Sequence, residues 1–383
     1  MVPAARTPAA TLLVARTVNN DMKTLQNLDN TFDSGPPGGP ITSYIAGDGG
    51  KVTGTEDLFS ACLRPDPPHY DRYMPSEIGM EDYAGFLPLA RRKSVVPPAS
   101  EWWPWRNHRI HLLRFRDANA PVRLLVVHGA GAHASGLWPV ASLLSGRGFD
   151  LTAVDMPLYG RTVTRSRRTV TYQDWVDLLA DLISAEDDGR PVILLGASIG
   201  GLLTVEAGAR SSRVAAVVAT CLLDPQKKSA RSAMTRFHSL ALVFMPLLRL
   251  VRGPIARIPV KVSWIADLRN MGRDPRLGQL CAKDARGGGA WVPLGFLASY
   301  MQHSHSDARM ARFPVHLMHP ELDAWTPVEL SEDTLQTLHG PTTSQLLRGC
   351  GHFPLEEPGL ADLLSGLEKV AAAAVSGIES TPG

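Results

Sequence analysis

Two glycine-bounded segments and two isolated polar residues carry the types and spacing that carbonyl chemistry requires. The first segment is Gly196-Ala197-Ser198-Ile199-Gly200, a G-x-S-x-G pattern preceded by an apolar run at 192–195 and followed by a helical stretch. A serine that attacks a carbonyl must stand clear of its neighbours on a sharp strand-to-helix turn. That turn crowds the backbone, so glycine is needed at 196 and 200, where a side chain would collide. The helix after Ser198 also points its amino end at the reacting atoms, which favours developing negative charge. Upstream, His128-Gly129-Ala130-Gly131-Ala132 follows another apolar run. It stands where backbone donors must hold the oxyanion of a tetrahedral intermediate. The expected donors are the amides of Ala130 and Ile199.

A general base is also needed, and there are 12 histidines to choose from. His352 alone sits on a glycine-rich loop, Gly349-Cys350-Gly351-His352-Phe353-Pro354, just after the last apolar run, where its ring can swing over the sheet edge towards Ser198. His128 precedes the glycine turn and reads as a holder of that loop. His303-Ser304-His305 has a spacing compatible with metal, but no acidic or cysteine cluster accompanies it, so no metal is expected. The acid that fixes the imidazole tautomer and stabilises its charged form is assigned to Asp323, with Asp224 as rival and Glu321 as a weaker third choice. The order Ser198, Asp323, His352 is the order this kind of nucleophile turn brings with it.

Positioning these residues takes a sheet. Residues 102–105 and 109–115 read as a hairpin. Short Val- and Leu-rich runs follow at 123–127, 151–154, 192–195, 214–222 and 315–318, with a last strand at 344–347 before a closing helix. Apolar runs without alternation, spaced by helices, indicate a buried parallel sheet. The fold class is therefore α/β, a mostly parallel central sheet opened by an antiparallel hairpin. About ninety residues separate the strand ending near 223 from the one starting at 315, where a crossover needs only a dozen or more. The excess is expected to be an inserted helical cap over the carboxyl edge of the sheet, where such sheets bind ligands. The expected divisions are a weakly ordered extension at 1–68, a lead-in at 69–99, the core at 100–224 and 311–375, the cap at 225–310 and a flexible tail at 376–383.

Composition narrows the class. The chain has 383 residues, 44% hydrophobic and 20% charged, which excludes a disordered chain, a collagen-like repeat and a coiled coil. The net charge of +2 argues against a nucleic-acid partner. Four cysteines without a C-x-x-C pair make no disulfide scaffold, so a cytoplasmic setting is expected. The N-terminal apolar stretch at 9–15 is flanked by Arg6 and Arg16, too short for a secretory signal. The run at 240–248 contains Pro246 and falls far below the roughly 20 residues that span a bilayer. Residues 225–264 nevertheless hold eight Lys and Arg and no acid. This basic, apolar part of the cap is the candidate for peripheral contact with anionic membrane surfaces, against a plainer reading in which it packs on the core with its charges solvated. Gly287-Gly288-Gly289 lacks the following Lys-Ser or Lys-Thr of a phosphate loop and reads as a cap hinge.

From about residue 100 to 375 the chain resembles the α/β-hydrolase superfamily. The glycine loop after His128, Asp155-Met156-Pro157-Leu158-Tyr159-Gly160, the Ser198 turn, the Asp323 loop and Gly351-His352 fall in the family's order. The Asp155 segment is similar to the family's D-x-P-G-x-G turn, with Leu158 in place of its first glycine and no catalytic role implied. The branch it looks most like is the serine aminopeptidase and monoacylglycerol lipase group. The resemblance implies a serine hydrolase that cleaves carboxylic esters, lipid-like or with an apolar acyl group, through an acyl-enzyme on Ser198 and without cofactor or metal. The competing readings are a peptidase or amidase, a biosynthetic acyl-transfer or carbon–carbon bond hydrolase on the same residues, and a binding protein on the same fold.

Overall fold

A computed structural model of the chain describes residues 78–235, 248 and 250–379. The N-terminal extension expected at 1–68, most of the apolar run at 240–248 and the last four residues lie outside them.

Among the described residues ten strands are formed: β1 (Ala99–Trp105), β2 (His108–Phe115), β3 (Val122–Val127), β4 (Phe149–Val154), β5 (Val192–Gly196), β6 (Val214–Ala219), β7 (Pro259–Lys261), β8 (Trp291–Pro293), β9 (Val315–Pro320) and β10 (Thr342–Leu347). Eight make one sheet in the order β1-β2-β4-β3-β5-β6-β9-β10. The β1–β2 and β2–β4 pairs are antiparallel. All pairs from β4 to β10 are parallel. Every residue of β3, β4 and β5 is buried, as strands covered on both faces must be. One face packs against Trp175 and Leu179 of helix Tyr172–Ala185 and Leu202 and Val205 of helix Ile199–Gly208. The other packs against Trp138 of helix Ala134–Ala141 and Leu363 and Leu367 of helix Gly359–Glu379. Helix Tyr172–Ala185 starts at a capping box in which Thr171 and Asp174 exchange hydrogen bonds, and its buried positions recur at helical spacing.

Register sets the site. Val127 is paired with Gly196, so the glycine loop after β3 and the Ser198 turn after β5 leave the sheet at one level. Leu347 is paired with Pro320, which brings the Asp323 and His352 loops out side by side.

Three elements differ from the sequence reading. Helix Gly359–Glu379 runs through the first four residues of the tail expected to be flexible at 376–383. β6 ends at Ala219 rather than 222: the Thr220 amide makes the last ladder bond, to Gly196 O (3.0 Å), and the Leu222 amide leaves the sheet for Ser331 Oγ (2.9 Å). The segment between β6 and β9 holds, besides helices, a small antiparallel pair, β7 with β8. The stretch before the sheet is also built in: Tyr83 and Leu87 are buried in the cluster that contains Trp138.

Candidate active site

Ser198 has φ +54° and ψ −127°, a left-handed backbone that non-glycine residues rarely adopt. The close packing around it explains its neighbours. A Cβ on Gly196 would lie 2.3 Å from Gly200 O, and one on Gly200 would lie 2.7 Å from Val127 O. A Cβ on Gly129 would lie 2.7 Å from that of Ser198 and 3.2 Å from the Ile199 nitrogen, so the upstream glycine loop rests directly on the serine turn. Ile199 is the first residue of its helix, and its amide has no intrahelical acceptor. Ser198, Ala130 and His352 line one cavity.

His352 Nδ1 donates to Asp323 Oδ2 at 2.7 Å, and both side chains are buried. That bond leaves Nε2 as the acceptor of the ring. The other Asp323 oxygen accepts from the amides of Trp325 (2.8 Å) and Thr326 (2.9 Å), while Thr326 Oγ1 donates to Oδ2 (2.7 Å). Burial alone would raise the Asp323 carboxyl; the charge and hydrogen bond of His352 and the bonds from Thr326 outweigh it and hold it at about 2. Asp323 therefore stays charged beside the imidazole. The Trp325 ring lies 4.8 Å from that of His352, and its Nε1 donates to Ala233 O in the region between β6 and β9. Trp325 and Thr326 were not singled out from the sequence. The signal was present in the Asp-x-Trp-Thr spacing, since an aspartate that accepts from amides two and three residues on makes a side-chain turn.

The rivals lie elsewhere. Asp224 accepts from the Gln226 amide (2.8 Å) and pairs with Arg309 (3.4 Å). Glu321 accepts from the Gly349 amide (2.8 Å) and so ties the Asp323 loop to the His352 loop. His128 donates from Nδ1 to Gly129 O (2.8 Å) and accepts the Met156 amide at Nε2 (3.0 Å), which occupies both ring nitrogens with backbone. Burial holds it neutral, with its pKa down at about 4. His303 donates to Glu206 (3.2 Å), and His305 Nε2 meets the Tyr172 hydroxyl (3.1 Å), far along the nucleophile helix. Among the described residues no group of three or more His, Cys, Asp or Glu is arranged to hold a metal ion.

Asp155 anchors the turn after β4. One oxygen accepts the Ala134 amide (2.7 Å); the other accepts His111 Nδ1 (2.7 Å) and the Arg161 amide (2.9 Å). Leu158 within this turn has φ +83°. The side chain that replaces a family glycine is thus held in a left-handed conformation, and it is buried.

The profile of the alpha/beta hydrolase family matches residues 124–361, more than half of the chain. Among solved structures, a monoacylglycerol lipase of Paleococcus ferrophilus shares 18% identity over 69% of this chain and 99% of that one, with a TM-score of 0.54. A soluble variant of the Saccharomyces cerevisiae monoglyceride lipase, bound to a substrate analogue, shares 14% over 73% and 96%, with a TM-score of 0.58. The α/β hydrolase GrgF of a Penicillium species shares 17% over 73% and 100%, with a TM-score of 0.55. No curated protein sequence matches the chain. At these identities the structures speak for the fold, and they agree with the branch named from the sequence at that level. The matched profile, the strand order and the placement of the glycine turns identify the chain as a member of the alpha/beta hydrolase family, a hydrolase.

Proposed function

We propose that this hydrolase cleaves carboxylic esters through an acyl-enzyme on Ser198. The observation that carries the reading is the meeting of three features at one cavity: a serine on a left-handed turn, a histidine whose Nδ1 is held by a buried carboxylate, and apolar walls. His352 Nε2 takes the Ser198 proton as Oγ attacks the acyl carbon, and Asp323 steadies the imidazolium. The Ala130 and Ile199 amides hold the oxyanion. The alcohol leaves with the proton from His352; water, activated by the same nitrogen, then attacks the acyl-enzyme and releases the acid.

The cavity measures about 50 Å³ and runs from Ser198 between Leu137, Val140, Ala141, Leu195, Met271 and Leu363. These walls suit an apolar acyl group. Among the described residues no acidic side chain lines it to receive a substrate amine, which favours an ester over a peptide. A reducing, cytoplasmic setting fits the buried, free Cys221, Cys281 and Cys350.

Ser198→Ala is expected to abolish hydrolysis of p-nitrophenyl esters and labelling by a fluorophosphonate; retained turnover would end the assignment. Across p-nitrophenyl esters of graded acyl length, with aminoacyl anilides alongside, turnover of the esters and not of the anilides is expected.

A further inference from the structure

The glycine loop that carries the Ala130 amide is gripped from outside the sheet. His133 ends this loop and precedes helix Ala134–Ala141. Its Nε2 donates to Asp284 Oδ2 at 2.7 Å, and the Tyr83 hydroxyl donates to the same oxygen at 2.7 Å. All three residues are at most 2% exposed. The other Asp284 oxygen accepts the Arg286 amide (2.9 Å). Burial alone would raise the Asp284 carboxyl; the hydrogen bond and charge of His133 and the bond from Tyr83 hold it below the usual carboxylate range.

The backbone beside this trio is equally close. Gly287 sits where a Cβ would come within 2.8 Å of Gly131 O and 3.4 Å of the His133 ring. A Cβ on Gly131 would meet Leu268 at 3.0 Å. Arg286 O accepts the Gly160 amide (3.0 Å), which ties the same segment to the turn after β4. Gly287 and Gly288, read from the sequence as part of a cap hinge, thus pack directly against the glycine loop.

Resting on the Ser198 reading, we propose that Asp284, His133 and Tyr83 are positioning residues that clamp the oxyanion loop to the segment between β6 and β9 and to the stretch before the sheet. Asp155, after β4, holds the Ala134 amide, and Asp284, between β6 and β9, holds the neighbouring His133 side chain. The loop between them has one place to stand. An oxyanion donor acts only if it is already in place when charge develops, so loosening the clamp weakens the transition state and leaves ground-state binding intact.

The test combines kinetics on a short-chain p-nitrophenyl ester with hydrogen–deuterium exchange of the free protein. Deleting an oxyanion donor outright lowers kcat by about 10²–10³-fold. Asp284→Ala and His133→Ala displace a donor without removing it, so a fall of about 10- to 100-fold is expected, with KM within about twofold. His133→Gln keeps a donor near the Nε2 position and is expected to restore most of the rate; Tyr83→Phe is expected to cost a few-fold. Exchange of amides at 129–133 is expected to rise in the two alanine variants without a general rise elsewhere. Unchanged loop exchange, a general rise with a matching fall in melting temperature, or a loss confined to KM would each overturn the clamp. The exchange measurement does not depend on Ser198. If Ser198→Ala kept activity, the catalytic reading would fall while loop exchange still decided the clamp.

Discussion

Asp323→Asn is the change on which the proposed chemistry is most exposed. The carboxylate accepts four hydrogen bonds, two on each oxygen: the Trp325 and Thr326 amides at 2.8 and 2.9 Å on one, Thr326 Oγ1 and His352 Nδ1 at 2.7 Å on the other. An asparagine has one accepting oxygen. Turning its NH₂ towards two backbone amides would set donors against donors in a buried site, so the oxygen stays with Trp325 and Thr326 and the NH₂ faces His352. The ring must then accept at Nδ1 and carry its proton on Nε2, the wrong tautomer for taking a proton from Ser198. Loss of tautomer control with geometry intact lowers kcat about 10⁴-fold, or ~5.5 kcal/mol at 1.36 kcal/mol per decade. The assay is steady-state hydrolysis of a short-chain p-nitrophenyl ester, with Ser198→Ala as the floor and the rate of fluorophosphonate capture as a second reading. Asp224→Asn, at a carboxylate engaged with Gln226 and Arg309, is expected to stay within about threefold of the parent. An Asp323→Asn protein within tenfold of the parent, or an Asp224→Asn protein equally impaired, would refute the reasoning. Because the Asp323 pKa is depressed to about 2, its contribution to stability is present above the unfolded value near 4 and is lost as pH falls towards 2.

Three further outcomes are expected. Gly129→Ala places a methyl 2.7 Å from Ser198 Cβ and 2.8 Å from Ala197 O, which forces the two turns apart; kcat should drop about 10²-fold, measured with the same ester, and an unaltered rate would show that the contact is not needed. His128, held at about 4 against an unfolded 6.5, binds its proton only in the unfolded chain over that interval, so stability falls as pH drops from about 6.5 to 4. At 1.36 kcal/mol per pH unit the loss nears ~3 kcal/mol, and urea unfolding across the interval should show it in the parent and lose it in a His128→Gln variant. Leu250, Ile255 and Ile258 are exposed beside the exposed Arg252 and Arg257, a surface suited to an anionic bilayer; co-sedimentation should favour anionic over neutral vesicles, and equal weak binding to both would remove the idea. Among the described residues no helix is long and apolar enough to cross a membrane.

The sheet was legible because its strands are short apolar runs, and burial on both faces writes itself directly into composition. Ser198, Asp323 and His352 were legible because each sits on a loop whose glycine or strand neighbours announce it. What stayed hidden depends on contacts between distant segments. Nothing local marks Tyr83 as the partner of Asp284, a residue 201 positions away. The end of β6 was misjudged because the apolar run continues to Leu223, while the hydrogen bond that draws the chain out of the sheet comes from Ser331. The β7–β8 pair is three residues a side, too short for any alternation to register.

The turn after β4 takes its shape at Leu158 from its surroundings. A leucine at φ +83° has no intrinsic reason to be there, and its backbone stands about 1–2 kcal/mol above the right-handed alternative. Its amide donates to Thr164 Oγ1 (3.2 Å), its carbonyl accepts from Arg167 (3.1 Å), and its side chain is enclosed with Tyr159 and Trp175. A glycine in this place would let the turn form by itself and hand its shape to the surroundings. With leucine the order is reversed: the finished core dictates the turn. The Asp155 carboxylate that holds the Ala134 amide is therefore aimed by packing that has to be complete beforehand, so local sequence cannot aim it.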